Sequence, residues 1–89
     1  MITLYWRKEK PGKYAMYRSP DGTPRVPCGS LVKRLGDYKA CFFTGGHTIF
    51  VVAGSVPSAR RALESSLCRQ SIRLWHDDDV TFIREADYA

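Results

Sequence analysis

Residues 2–8 alternate in character: Ile2, Leu4 and Trp6 fall on one side of an extended chain, and Thr3, Tyr5 and Arg7 on the other. That period of two predicts a half-buried β-strand. Glu9-Lys10-Pro11-Gly12 interrupts it, the Pro-Gly pair supplies a turn, and residues 13–18 read as the returning strand of an antiparallel hairpin. Ser19-Pro20-Asp21-Gly22-Thr23 is a second turn, with proline presetting φ and glycine supplying the left-handed position. Pro24, Pro27 and Gly29 make residues 24–29 an expected irregular or edge segment. Residues 30–35 fit a short helix capped by Ser30 and ended by Gly36, or a strand turning through Gly36-Asp37. The glycine-first turn favours the strand.

Residues 38–43 and 48–53 flank Thr44-Gly45-Gly46-His47 and spell a β-hairpin with a glycine turn. The second of these strands is apolar at consecutive positions, so it is expected to lie centrally and to be covered on both sides. Ser55 then caps a helix, with Pro57 in the first turn where its missing N–H costs nothing. Val56, Ala59, Ala62, Leu63 and Leu67 form its apolar stripe, Arg60, Arg61, Glu64, Ser65 and Cys68 fall away from it, and it should end near Arg69-Gln70. Residues 71–75 and 80–84 read as a final pair of strands joined through His76-Asp77-Asp78-Asp79. No repeat, low-complexity tract or linker divides the chain. The expectation is one small α+β domain over residues 1–89, an antiparallel sheet of about five or six strands with one helix packed on one face. A single helix cannot cover both faces of such a sheet. Either the sheet curls on itself, or its open face meets a partner.

Composition narrows the class. With 89 residues, 44% hydrophobic and 26% charged, the chain has enough apolar surface for one core, which argues against wholesale disorder. No apolar run approaches the ~20 residues that cross a bilayer. Charge arrives at Arg7-Lys8, too early for a signal peptide, so a cytoplasmic protein without a membrane partner is expected. Cys28, Cys41 and Cys68 are odd in number and lack any Cys-x-x-Cys spacing, which favours three free thiols over a disulfide framework. Charge is lopsided: thirteen of the fourteen Lys/Arg lie in residues 1–73, whereas five of the nine Asp/Glu crowd into residues 74–89. A basic body favours nucleic acid or another acidic partner.

Candidate chemistry is sparse. Cys28, Cys41, His47, Cys68 and His76 are the available soft ligands, but none forms the close pair that structural zinc sites use. Cys41 with His47, or Cys68 with His76, lacks the third group that would orient a base toward a thiol nucleophile. Asp77-Asp78-Asp79 lacks the alternate ligands and distant glutamate of a calcium loop, and reads as a solvated turn. Gly45-Gly46 lacks the Lys-Ser/Thr ending of a phosphate loop. The expectation is a non-catalytic binding protein without cofactor or metal.

Basic and aromatic residues on short strands are the informative combination. Tyr5, Arg7, Lys8, Lys10, Lys13 and Tyr17 belong to the first hairpin, and alternation lets Tyr5, Arg7, Lys13 and Tyr17 share one face. Such a face can stack bases and neutralise phosphates. Lys33-Arg34 and Arg60-Arg61 add two clusters, the second on the outer side of the helix. These ten residues are the candidate partner-binding set, and nucleic acid or a nucleoprotein complex is the expected partner. Residues 37–67, two strands and a tight turn followed by Ser55-x-x-x-Ala59-x-x-Ala62-Leu63, resemble the hairpin-plus-helix core of AP2-type and integrase arm-binding domains. That resemblance implies DNA reading by a three-stranded sheet, although the family's strand aromatic-arginine run is missing and strands follow the helix. Two other classes fit the size and charge. One is a phage- or mobile-element-type inhibitor, anti-CRISPR-like in style, docking on a host protein complex through charged and aromatic anchors. The other is a structural module forming a homodimer through its open sheet face.

Overall fold

A computed structural model of the chain describes residues 1–18, 26–44 and 46–85. Six strands form one curled sheet: β1 (Ile2–Lys10), β2 (Lys13–Arg18), β3 (Val26–Arg34), β4 (Asp37–Thr44), β5 (His47–Ala53) and β6 (Val80–Arg84), in the spatial order β5-β4-β3-β2-β1-β6. The first five are joined in sequence as antiparallel neighbours. β6 pairs with β1 in parallel, Ile2 opposite Val80 through Trp6 opposite Arg84. A parallel partner at the far edge demands a crossover, and two helices supply it across one face of the sheet. They are α1 (Val56–Arg69) and α2 (Ser71–Trp75). The fold is α+β with a mostly antiparallel sheet and one main helix.

Both expected hairpins are present. Gly12 (φ 78°) turns β1 into β2, and Gly46 (φ 87°) lies in the two-residue link that leaves Thr44 paired with His47. Residues 30–34 are strand, and the chain reverses through Leu35-Gly36 with Gly36 at φ 88°. Ser55 caps α1 by accepting from the Ser58 amide at 3.2 Å, and the buried stripe of Ala59, Leu63, Ser66 and Leu67 packs on β3, β4 and β5.

Two expectations need correction. Residues 71–75 are helix, not strand. Leu74 and Trp75 both turn inward while Ile72 and Arg73 are exposed, a pattern that alternation cannot give. Ser71 donates to the Cys68 carbonyl at 3.0 Å, which carries the chain straight from one helix into the next, and Trp75 meets the Phe42 ring edge-on at 5.6 Å. The last strand therefore takes β1, and not residues 71–75, as its partner. β5 is an edge strand covered on one face only, since the helix layer lies on one side and leaves Phe50 61% and Val52 47% exposed. The start of β3 agrees with the expected irregular or edge segment: its register with β4 begins only at Gly29, so residues 26–28 have β2 alone as a neighbour. The anticipated irregularity is a register shift between Met16 and Tyr17 that leaves Cys28 opposite no residue. Pro24 and the turn over residues 19–23 lie outside the described residues.

Ile2, Leu4 and Trp6 from β1 meet Met16, Leu31, Phe42, Leu63 and Leu67 in one core cluster under α1. Trp6 is fully buried, and its indole Nε1 donates to Glu64 Oε2 at 2.9 Å. Arg60 Nη1 donates to the other oxygen of the same carboxylate at 3.2 Å, so a polar pair on the helix satisfies the one donor of a buried ring. Gly29 is required by contact: a Cβ there would stand 2.6 Å from the Cys41 carbonyl oxygen.

Candidate binding face

Strand alternation sorts the side chains into two faces. Opposite the helices, the register runs Arg7, Ala15, Ser30, Cys41, Phe50 across five strands. One row along, Ile83, Tyr5 and Tyr17 stand side by side; on the other flank come Lys13, Val32, Lys39 and Val52. A line of small residues thus runs across the middle of this open face, with aromatic and cationic side chains around it. At strand spacings of about 4.8 Å, Arg7 and Phe50 stand roughly 19 Å apart.

The cations are held against the rings. The Arg7 guanidinium lies 5.8 Å from the Tyr17 ring centroid, and Lys39 Nζ lies 4.9 Å from that of Phe50. A cation over an aromatic face is favourable in itself and keeps a long side chain on the sheet. Arg7 also donates through Nε and Nη2 to Glu85 Oε2 at 3.3 and 3.2 Å. Part of the acidic C-terminal segment therefore folds back on the basic body. At the far end Arg34 grips Asp37 in a two-pronged contact, Nε to Oδ1 at 2.8 Å and Nη2 to Oδ2 at 2.9 Å. That contact holds the Asp37 carboxyl below its ordinary range.

The ten sequence-derived candidates divide between the faces. Tyr5, Arg7, Lys13 and Tyr17 share the open face, joined by Lys10, which sits opposite Lys13 beyond a bulge at Glu9, and by the Arg34–Asp37 pair. Lys8 pairs with the core residue Tyr14 and Lys33 with Tyr38, which places both at the helix-side end of their strands. Arg60 and Arg61 lie on α1, on the opposite side from the Tyr5–Tyr17 pair. Arg60 is no outer-surface residue: its side chain is 14% exposed against Glu64. Lys39, Phe43, Phe50, Val52 and Ile83 belong to the open face and were missed. The signal was there in the alternation of Lys39, Cys41 and Phe43 and in the glycine turn that sets Phe50 opposite Cys41. Deciding that this side is uncovered required the helix.

On the opposite side a broad cleft of about 480 Å³ between α1 and β6 is lined by Arg61, Glu64, Ser65, Cys68, Arg69 and Phe82, with Glu64 already engaged by Trp6 and Arg60. All three cysteines are free thiols; burial pushes the Cys28 thiol up to about 12, whereas Cys68 is exposed. Asp77 has a local role: it accepts from the Asp79 amide at 2.8 Å and pairs with the Met1 ammonium at 2.7 Å. Among the described residues no group of three or more His, Cys, Asp and Glu could hold a metal ion, and no helix is long and apolar enough to cross a membrane.

No family matches this chain, and neither a curated protein nor a solved structure matches it.

Proposed function

We propose that this domain is a non-catalytic module that binds single-stranded nucleic acid on the open face of its sheet. The observation that carries the reading is the interleaving of rings and cations there, Arg7 over Tyr17 and Lys39 over Phe50, with Tyr5, Lys10 and Lys13 beside them. Rings on a sheet stack bases whatever their sequence, and ammonium and guanidinium groups neutralise the backbone. The width of the face favours a single strand over a duplex. Six strands at about 4.8 Å span more than the roughly 12 Å of a DNA major groove, and among the described residues no helix projects from this side to enter one.

The test is fluorescence anisotropy with a labelled single-stranded oligonucleotide and its duplex at graded salt. Expected is preferential binding of the single strand, weakening steeply with salt. Lys13→Glu should weaken it strongly, and Arg61→Glu on the helix side should leave it nearly unchanged. Absence of binding at low salt, or equal losses from the two charge reversals, would overturn the reading. A second reading, docking on an acidic protein surface, draws support from the exposure of Phe43, Phe50, Val52 and Ile83 on the same face. It predicts loss of partner capture on Phe50→Ala with no oligonucleotide binding at all.

A further inference from the structure

We infer that the outer edge of β5 is a self-association site, at which two copies of the chain pair β5 with β5 in antiparallel register and continue one sheet into the next. The two edges of the sheet are treated differently by the sequence. β6 is five residues long, ends at Arg84, and is bracketed by Asp79 and Glu85, charges that discourage further pairing. β5 is seven residues long, His47-Thr48-Ile49-Phe50-Val51-Val52-Ala53, with no Lys, Arg, Asp, Glu or Pro and an unbroken register with β4. Among the described residues no strand pairs with its outer side. In a chain of net charge +5, this strand carries none of the charge that would hold two copies apart.

The hairpin geometry says which backbone groups are on offer. Thr44 and His47 close a two-residue turn and so exchange their hydrogen bonds with each other. Bonding then alternates along the strand: His47, Ile49, Val51 and Ala53 point their N–H and C=O groups toward β4, and Thr48, Phe50 and Val52 point theirs outward. A two-fold axis through Phe50 sets Phe50 opposite Phe50 of the second copy and Thr48 opposite Val52 in both directions, so every outward donor meets an acceptor. The same register sets Ile49 opposite Val51 on the helix side, so the centre of each face continues apolar onto apolar and no charged side chain of β5 is brought against another. Because such an axis stands perpendicular to the sheet, both open faces end on the same side. The chemistry that recognises this edge is therefore a second copy of the strand itself.

Light scattering and amide hydrogen exchange on the full chain test the pairing. Expected is a doubling of mass at high concentration, with the Thr48, Phe50 and Val52 amides protected there and losing protection on dilution. The Ile49, Val51 and Ala53 amides stay protected throughout. Thr48→Pro removes an outward N–H without touching a β4 bond and should give a monomer. Thr48→Lys, which leaves the backbone intact, should give the same result if the proline variant does not fold. Thr81→Lys on β6 should still dimerise. A wild-type monomer at every concentration, rapid exchange of the three outward amides in a dimer, or a Thr48→Lys dimer as tight as wild type would overturn the inference.

Discussion

One set of strands builds two unlike surfaces. On the helix side Leu4, Trp6, Met16, Leu31 and Phe42 are closed to solvent and lock against Leu63 and Leu67. On the other side the intervening positions carry Tyr5, Arg7, Tyr17, Lys39 and Phe50, whose rings and charges meet water and one another. Both sides are rich in aromatic carbon, so hydrophobicity alone does not separate them. What separates them is coverage: the crossover that delivers β6 to the edge beside β1 passes over one side only. The helix side should therefore report on stability, and the open side on binding.

The largest break in that comparison comes from Trp6→Ala. It should lower unfolding free energy by about 3–5 kcal/mol, because it empties the core and strands the Glu64–Arg60 pair. Denaturant titration would show it. Next comes Gly29→Ala, where the new methyl meets the Cys41 carbonyl and must push β3 from β4; a cost of about 1–3 kcal/mol is expected in thermal melts. Tyr17→Ala or Phe50→Ala should leave stability within about 1 kcal/mol, while on the proposed function each lowers oligonucleotide affinity by about 1–3 kcal/mol. Losing affinity without stability sharpens the contrast; losing both erases it.

The smallest effect concerns acidity. Asp77 has its carboxyl lowered first by its bond to the Met1 ammonium, and that ammonium is raised by the same contact. The carboxylate's contribution is present above its unfolded pKa and is lost as pH falls through the depressed folded value. The ammonium's contribution is present below its unfolded pKa and is lost as pH rises through the raised folded value. Asp77→Asn should therefore flatten both limbs of the stability–pH profile slightly, read by melting temperature across the range. Arg34–Asp37 shares only the acid limb through Asp37 and serves as the internal reference.

Local signals carried most of the fold. Period-two runs, Pro11-Gly12 and Gly45-Gly46 placed both hairpins, and Ser55-Val56-Pro57 placed the start of α1, because each of these depends on backbone preferences within a few residues. The failures were all long-range. Ile72 and Leu74 mimic a strand until Trp75 finds Phe42, a partner far away in sequence. The run from Thr48 to Ala53 resembles a doubly covered strand until one counts how many helices exist to cover it. On the candidate face, alternation grouped Tyr5, Arg7, Lys13 and Tyr17, but pairing across strands was needed to add Lys39 and Phe50. Arg60 looked solvent-facing on a helical wheel, and only the indole of Trp6 beneath Glu64 explains why it is drawn inward.

The parallel seam between β1 and β6 has a consequence in time. As the polypeptide emerges from a ribosome, β2 to β5 can each zip onto the preceding strand almost as soon as they appear. The first strand, however, keeps one flank bare until residue 80 and beyond have been made. Closing a loop that spans nearly the whole chain is slow, so this late seal should set the folding rate. A chain stalled before that point would leave the outer backbone N–H and C=O groups of β1 unpaired, an open edge that is a natural client for chaperones.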